Sequence, residues 1–277
     1  MYFWFVLGKF FSLIFPRSFC YRAAKILAYL QYHVSQKDRE AVKYNLEPIL
    51  SDKKNIDACA KEVFVNFSYY LVDFFRYPKL NKKFIEKYVT VSGLDKIDKL
   101  LAVKKGIILL AAHSGNYELG GAVTALLGYP ISAVALPHEN KRLSDFFNRR
   151  REMTGIKVIS TGVGVKKCFS ALRNGDMLAL LGDKDFAGGG ERVKMFSRYA
   201  LLPRGPAFFA LKTGCPIVPS FFLREKVNFY HLIFDDPIEC AGRDEMGIVE
   251  EYAKVIEKYI RQYPDQWYMF QPYWLKE

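Results

Sequence analysis

Residues Gly106-Ile-Ile-Leu-Leu-Ala-Ala112 form an unbroken apolar run. The run is too short for a typical helix and lacks the alternation of a strand with one wet face, so it reads as a strand buried on both sides. A strand of that kind belongs in a parallel sheet with helices on both faces. The rest of the chain agrees. Strand patterns fall at Tyr88–Ser92, Ile131–Leu136, Lys157–Ser160, Met177–Leu181, Ile217–Leu223 and Tyr230–Phe234. Helical patterns lie between several of them, at Leu94–Val103, Tyr117–Leu127, Lys141–Met153, Gly164–Arg173, Gly205–Lys212 and Met246–Gln262. Strands separated by helices imply an α/β fold with a mostly parallel central sheet flanked by helices, whose functional crevice lies beyond the carboxyl ends of the strands.

Ahead of Phe84 the pattern is helical. Ser35 and Asp52 are N-cap candidates, Pro48 lies near one helix end, and Pro78 stops the last helix. The segment Tyr2–Phe15 is apolar except for Lys9 and carries five phenylalanines with Tyr2 and Trp4. A spanning helix needs roughly 20 such residues, so this one is short for a crossing. With Arg17 and Arg22 behind it, it suits a helix lying in a membrane interface on the positive, cytoplasmic side; the other reading is an ordinary core helix. Val63–Phe75 is nearly apolar all round, either a buried helix or a second lipid-facing surface. We therefore divide the chain into a helical, membrane-associating region, 1–80, and an α/β region, 81–277.

The run of apolar residues ends at His113. Ser114, Gly115 and Asn116 turn the chain into a helix whose first turn holds Glu118. Five residues apart on one helix, the two side chains would diverge by about 140°. With His113 on the strand end and Glu118 across a tight turn, both face one crevice. A carboxylate on one imidazole nitrogen would fix the tautomer and make the other nitrogen a base toward an alcohol, as acyl transfer requires. No G-x-S-x-G motif is present, so direct attack by an acceptor hydroxyl is preferred to an acyl-enzyme.

Other charged groups surround this pair in the sequence. Arg149-Arg-Arg151 ends a helical pattern and offers guanidinium groups to a phosphate, or simply forms a solvated face. Asp183 and Asp185 follow the strand Met177–Leu181, at the same sheet edge as His113, where they would hold Arg149 or meet a sugar hydroxyl. No His accompanies them, so no metal site is expected, and Gly188-Gly-Gly190 matches no phosphate-loop pattern, so no cofactor is expected. The formal net charge of +12 asks for an anionic partner. Lys79, Lys82, Lys83, Lys104 and Lys105 would form a basic rim around the crevice. An aromatic-rich N-terminus and the lack of a recognisable binding fold exclude nucleic acid from the expectation. The five cysteines form no C-x-x-C pair, which suits reduced thiols facing a cytoplasm.

His113-Ser-Gly-Asn-Tyr-Glu118 after an apolar strand resembles the H-x4-[DE] motif of glycerolipid and lysophospholipid acyltransferases. From about Arg39 to the C-terminus the chain resembles the late acyltransferases of bacterial lipid A biosynthesis. Arg39-x5-Asn45-Leu46, Asn148-Arg-Arg-Arg151 with Gly155, Gly182-Asp-Lys-Asp185, Leu202-Pro-Arg-Gly205-Pro-Ala207, Gly214-Cys-Pro-Ile-Val-Pro219 and Pro264-Asp-Gln-Trp267-Tyr-Met-Phe270 carry the resemblance in co-linear order. It implies that His113 and Glu118 are catalytic, that Arg149 holds anionic substrate with Arg151 as its alternative, and that Asp183 organises that shell with Asp185 as its alternative. It also implies an acyl-carrier-protein thioester, or acyl-coenzyme A, as donor, and a lipid A precursor, an anionic glycolipid, as acceptor at the cytoplasmic face of a bacterial inner membrane. A lysophospholipid or phosphoinositol mannoside is the alternative acceptor, and a non-catalytic basic membrane-binding protein the alternative class. Gln271-Pro-Tyr-Trp274 departs from the basic residues that often follow the Trp in that family.

Overall fold

The computed structural model describes residues 2–276 except 51, 104, 161–163 and 187; Lys104 of the expected basic rim therefore lies outside the described residues. Four helices open the chain: α1 (Tyr2–Ile14), α2 (Arg17–Val34), α3 (Gln36–Leu46) and α4 (Lys53–Phe75). Pro16 separates the first two, since its ring cannot continue a helix. Asp52 caps α4 by accepting from the Lys54 amide at 2.9 Å. Ser35 stands at the start of α3, but its hydroxyl donates to the Asp38 carboxylate at 2.7 Å and caps no backbone amide, because the charged acceptor wins.

The α/β part then runs α5 (Lys82–Tyr88), β1 (Val89–Ser92), α6 (Leu94–Ala102), β2 (Ile107–Ala111), α7 (Tyr117–Leu126), β3 (Ile131–Ala135), α8 (Lys141–Glu152), β4 (Lys157–Ser160), α9 (Gly164–Arg173) and β5 (Met177–Leu181). It continues through β6 (Glu191–Met195), β7 (Arg198–Leu202), α10 (Gly205–Thr213), β8 (Ile217–Lys226), β9 (Phe229–Phe234) and α11 (Glu245–Gln262). Seven strands form one sheet in the order β1-β9-β8-β2-β5-β3-β4, and β6 pairs with β7 in a separate hairpin. The fold is α/β, with a mostly parallel central sheet flanked by helices. The strands from β8 to β4 are parallel to one another, while β9 runs antiparallel to β8 and carries β1 beside it.

The apolar run that opens the sequence argument is β2, in the middle of the sheet, with Ile107, Ile108 and Leu110 wholly buried. One core, under α9, α10 and α11, takes Ile108 and Leu110 from β2. A second, on the other face, takes Ile107 and Leu109 together with residues of α4, α7 and α8. That division is the physical reason β2 has no polar face. The N-terminal helices have a core of their own, which Tyr268 joins from the C-terminal segment. Asn45 of α3 ties the two ends of the chain together: its Nδ2 donates to the carbonyls of Met269 and Gln271 at 2.9 and 2.8 Å, and its Oδ1 accepts from the Tyr273 amide at 3.0 Å.

Candidate active site

Parallel register brings the site together. Ala111 of β2 lies opposite Leu181 of β5, and the Gly182 amide donates to the Ala111 carbonyl at 2.8 Å. Two residues further along each strand, His113 meets Asp183. The His113 amide donates to Asp183 Oδ2 at 3.0 Å, and His113 Nδ1 lies 2.8 Å from Oδ1. An ionised carboxylate only accepts, so Nδ1 carries the proton and Nε2 is left with its lone pair. Among the described residues Nε2 has no hydrogen-bond partner. The imidazole is partly open to solvent, between the rings of Tyr117 and Phe186 at 5.4 and 5.7 Å.

Asp183 is completely buried. Burial alone would raise its pKa, but the His113 imidazole, the His113 amide and the Trp267 indole, donating at 3.3 Å, hold it below the ordinary carboxylate range. Tyr273 fixes the same residue from behind by donating to its backbone carbonyl at 2.5 Å. For His113 burial disfavours the cation, yet the charge of Asp183 and the hydrogen bond to it outweigh burial, and the imidazole pKa is raised.

The sequence reading pairs Glu118 with His113; the structure pairs it with Arg151. Asn116 caps α7 by accepting from the Leu119 amide at 3.1 Å, and Glu118 follows in the first turn. Arg151, in the last turn of α8, reaches it with Nε at 3.2 and 3.0 Å and Nη2 at 2.5 Å, and donates to Asn148 Oδ1 at 3.1 Å. Glu118 thus has its oxygens spent on a guanidinium and acts on His113 only through space. Breaking such a nearly buried pair by removing one partner costs roughly 3–5 kcal/mol.

The three arginines of α8 part company because successive helical residues point about 100° apart. Arg149 is exposed, without a partner among the described residues, and Asp183 does not hold it. Arg150 turns inward and stacks on Phe146 at 3.9 Å, where burial lowers its pKa to about 10. Arg151 alone joins the site. Asp185 accepts from the Gly190 amide at 2.7 Å and so tightens the glycine-rich loop. The amides of His113, Gly115 and Asn116 are spent on Asp183, Gln266 and Phe222, so these three are not free to stabilise an oxyanion. Trp267 belongs to a block that carries the family resemblance and Tyr273 to the segment after it, but their contacts with Asp183, 84 and 90 residues away, are not legible in either.

A family model described as bacterial lipid A biosynthesis acyltransferase matches residues 1–276. The chain is 26% identical over 218 residues to a phosphatidylinositol mannoside acyltransferase of Mycobacterium tuberculosis, covering 76% of this chain and 69% of that one. It is 24% identical over 186 residues to the lipid A biosynthesis palmitoleoyltransferase of Escherichia coli, covering 66% and 60%. To a lipid A biosynthesis acyltransferase of Haemophilus influenzae it is 28% identical over 144 residues, covering 51% and 45%.

Proposed function

We propose, from the premise that the chain belongs to the bacterial lipid A biosynthesis acyltransferase family and is an O-acyltransferase, that it moves a fatty acyl chain from an acyl-carrier-protein thioester to a hydroxyl of a lipid A precursor. The observation that carries the reading is the buried Asp183 carboxylate locked on Nδ1 of His113, which leaves Nε2 as a base at the carboxyl end of β2. The acceptor hydroxyl gives its proton to Nε2, and its oxygen attacks the thioester carbonyl. As the C–O bond forms and the C–S bond breaks, the imidazolium returns the proton to the departing thiolate. Asp183 stabilises the imidazolium in between. Glu118 serves by holding Arg151, whose guanidinium faces the anionic substrate; Arg149 is a second, outer cation for it. Asp185 contributes through the loop after β5.

In this reading region 1–80 faces lipid and region 81–277 carries the chemistry at the cytoplasmic face of a bacterial inner membrane. Lys79, Lys82, Lys83 and Lys105 attract an acidic carrier protein or anionic headgroups. A second acceptor reading, a phosphoinositol mannoside, is favoured by one observation: the mycobacterial relative aligns with more of this chain than do the two lipid A enzymes. The test is transfer by the purified chain, offered acyl carrier protein and acyl-coenzyme A donors against lipid A precursor, phosphoinositol mannoside and lysophospholipid. Transfer from the carrier protein to the lipid A precursor is expected, and His113→Ala should reduce it by roughly 10²–10⁴-fold. Transfer to the mannoside alone would select the second acceptor, and wild-type turnover by the folded His113→Ala protein would remove the mechanism.

A further inference from the structure

Away from His113, a cavity of about 160 Å³ opens between the start of α2, the end of α4 and α5. Arg17, Arg76, Lys79 and the Asp73 carboxylate line its polar side, and Leu80, Phe84 and Leu119 its apolar side. At roughly 30 Å³ per water it has room for several waters, or for one tetrahedral oxyanion. The cavity borders a buried charge network that does not balance. Asp73 is the one carboxylate among its described residues, and two guanidinium groups converge on it: Arg17 at 3.1 Å and Arg224 at 2.8 Å. Its oxygens also accept from Tyr21, Tyr230 and Asn116, so it has no capacity left for a further cation.

The tyrosines do not supply the missing negative charge. Burial and Asp73 push the Tyr21 hydroxyl up to about 12, and burial holds Tyr230 well above its ordinary value. Two guanidinium groups against one carboxylate leave one positive charge in excess, which the rings of Phe84 and Tyr88 face at 4.8 and 5.2 Å from Arg17 and which an anion would balance. The unmet donor can be named. Arg17 Nε reaches Tyr21 at 2.8 Å and Nη2 reaches Asp73, while Nη1 is buried without any hydrogen-bond partner. Arg76 and Lys79 each spend one nitrogen on carbonyls at the end of α1, and their charges stay at the cavity wall.

We propose that this cavity binds an oxyanion of the phosphate class, held by the cations of Arg17, Arg76 and Lys79. Three cations around one cavity suit a doubly charged tetrahedral group better than a single planar carboxylate. Such an anion comes from solution or from a phospholipid headgroup; the exposed rings of Phe15 and Phe19, tilted against each other at 4.9 Å, flank Arg17 in the chain.

The test uses the full chain without any acyl donor, so it stands or falls independently of the acyl-transfer reading. Inorganic phosphate is titrated calorimetrically, and vesicles of phosphatidylglycerol are compared with vesicles of phosphatidylcholine by sedimentation. Two variants accompany the wild type. Arg17→Lys keeps the charge but removes the fork, and Leu80→Trp fills the cavity while leaving every bond of Arg17 in place. Phosphate binding that weakens roughly tenfold or more in both variants supports a soluble anion. No response to phosphate, but a comparable loss of phosphatidylglycerol binding in both variants, supports a headgroup. Should Arg17→Lys fail to fold, Leu80→Trp decides alone. Equal binding of both probes by wild type and Leu80→Trp, or no binding of either, overturns the proposal.

Discussion

At the scale of single residues, the pairing of His113 with Asp183 makes a claim about pH. Transfer needs the neutral imidazole, and Asp183 raises the pKa of His113 against the opposing effect of burial. Activity should therefore be low under acid conditions and climb with pH through a midpoint above the ordinary histidine value of about 6.5. Asp183→Asn removes the attraction and leaves burial, so the midpoint should move to lower pH while the plateau rate falls roughly 10²–10⁴-fold. A pH–rate profile of both proteins checks this; an unmoved midpoint in the variant would mean that the ascending limb belongs to another group. The sequence shows His113 at a strand end and Asp183 at the same sheet edge, yet it does not pair them. Their contact spans 70 residues and depends on the register of β2 against β5, whereas the spacing of His113 and Glu118 is local and suggests a partnership by proximity alone. Nor does one sequence show that Arg151, rather than Arg149, is the residue on the inner side of α8 that meets Glu118.

At the scale of elements, the turn from β2 into α7 is the joint that aims His113. Gly115 occupies it with φ +64°, and a Cβ there would lie 2.2 Å from the Phe222 carbonyl oxygen of β8. The same oxygen accepts from the Asn116 amide at 2.7 Å, so the turn cannot move away without losing the residue that caps α7. Gly115→Ala should cost at least about 2 kcal/mol and lower transfer further by shifting His113. Gly128→Ala is the control: it has φ +100° but open space around it, so it should cost only about 1 kcal/mol and leave transfer unchanged. Denaturation midpoints and turnover numbers for the two variants test the difference, and equal losses would contradict it. The strands of the sheet are legible in sequence to within a few residues: burial on both faces writes a continuous apolar run in β2, and a half-buried strand such as β9 shows alternation. The β6–β7 hairpin is not. Its wet face carries Arg192 and Lys194, its turn runs through Phe196 at φ 53° instead of an Asn-Gly pair, and the glycines just before it read as loop. Helix α5 is missed for another reason: it has seven residues, too few for a periodicity to register.

At the scale of the whole molecule, the distribution of apolar surface predicts how the enzyme meets its lipid. On one side α1 is anchored, with Phe5 against Phe75, Phe146 and Phe147 at 5.8, 6.0 and 5.7 Å. On the other side it leaves Phe3, Trp4, Phe10 and Phe11 exposed, and α2 extends that surface with Phe19, Leu27 and Leu30. A contiguous apolar patch of this kind on a chain with net charge +12 is costly in water and favourable on an anionic bilayer. No helix among the described residues is long and apolar enough to cross a membrane. At about 1.5 Å per residue the 13 residues of α1 reach roughly 20 Å, short of a hydrocarbon layer of roughly 30 Å. On the proposed reading the helix pair would lie along the bilayer with its rings among the headgroups. Replacing Phe10 and Phe11 together by Asp puts two charges into that layer from positions 58% and 48% exposed on the outer side of α1, so the fold should survive, as far-ultraviolet circular dichroism would report. Sedimentation with phosphatidylglycerol vesicles should fall at least tenfold, and transfer to a vesicle-embedded acceptor should fall with it, because the crevice is no longer held at the lipid surface. Transfer to the same acceptor dispersed in detergent should stay within about twofold of wild type, since the variant leaves His113, Asp183 and Arg151 in place. If vesicle binding persists, the patch is not the seat; if detergent activity collapses as well, α1 shapes the active site directly instead of delivering it to the membrane.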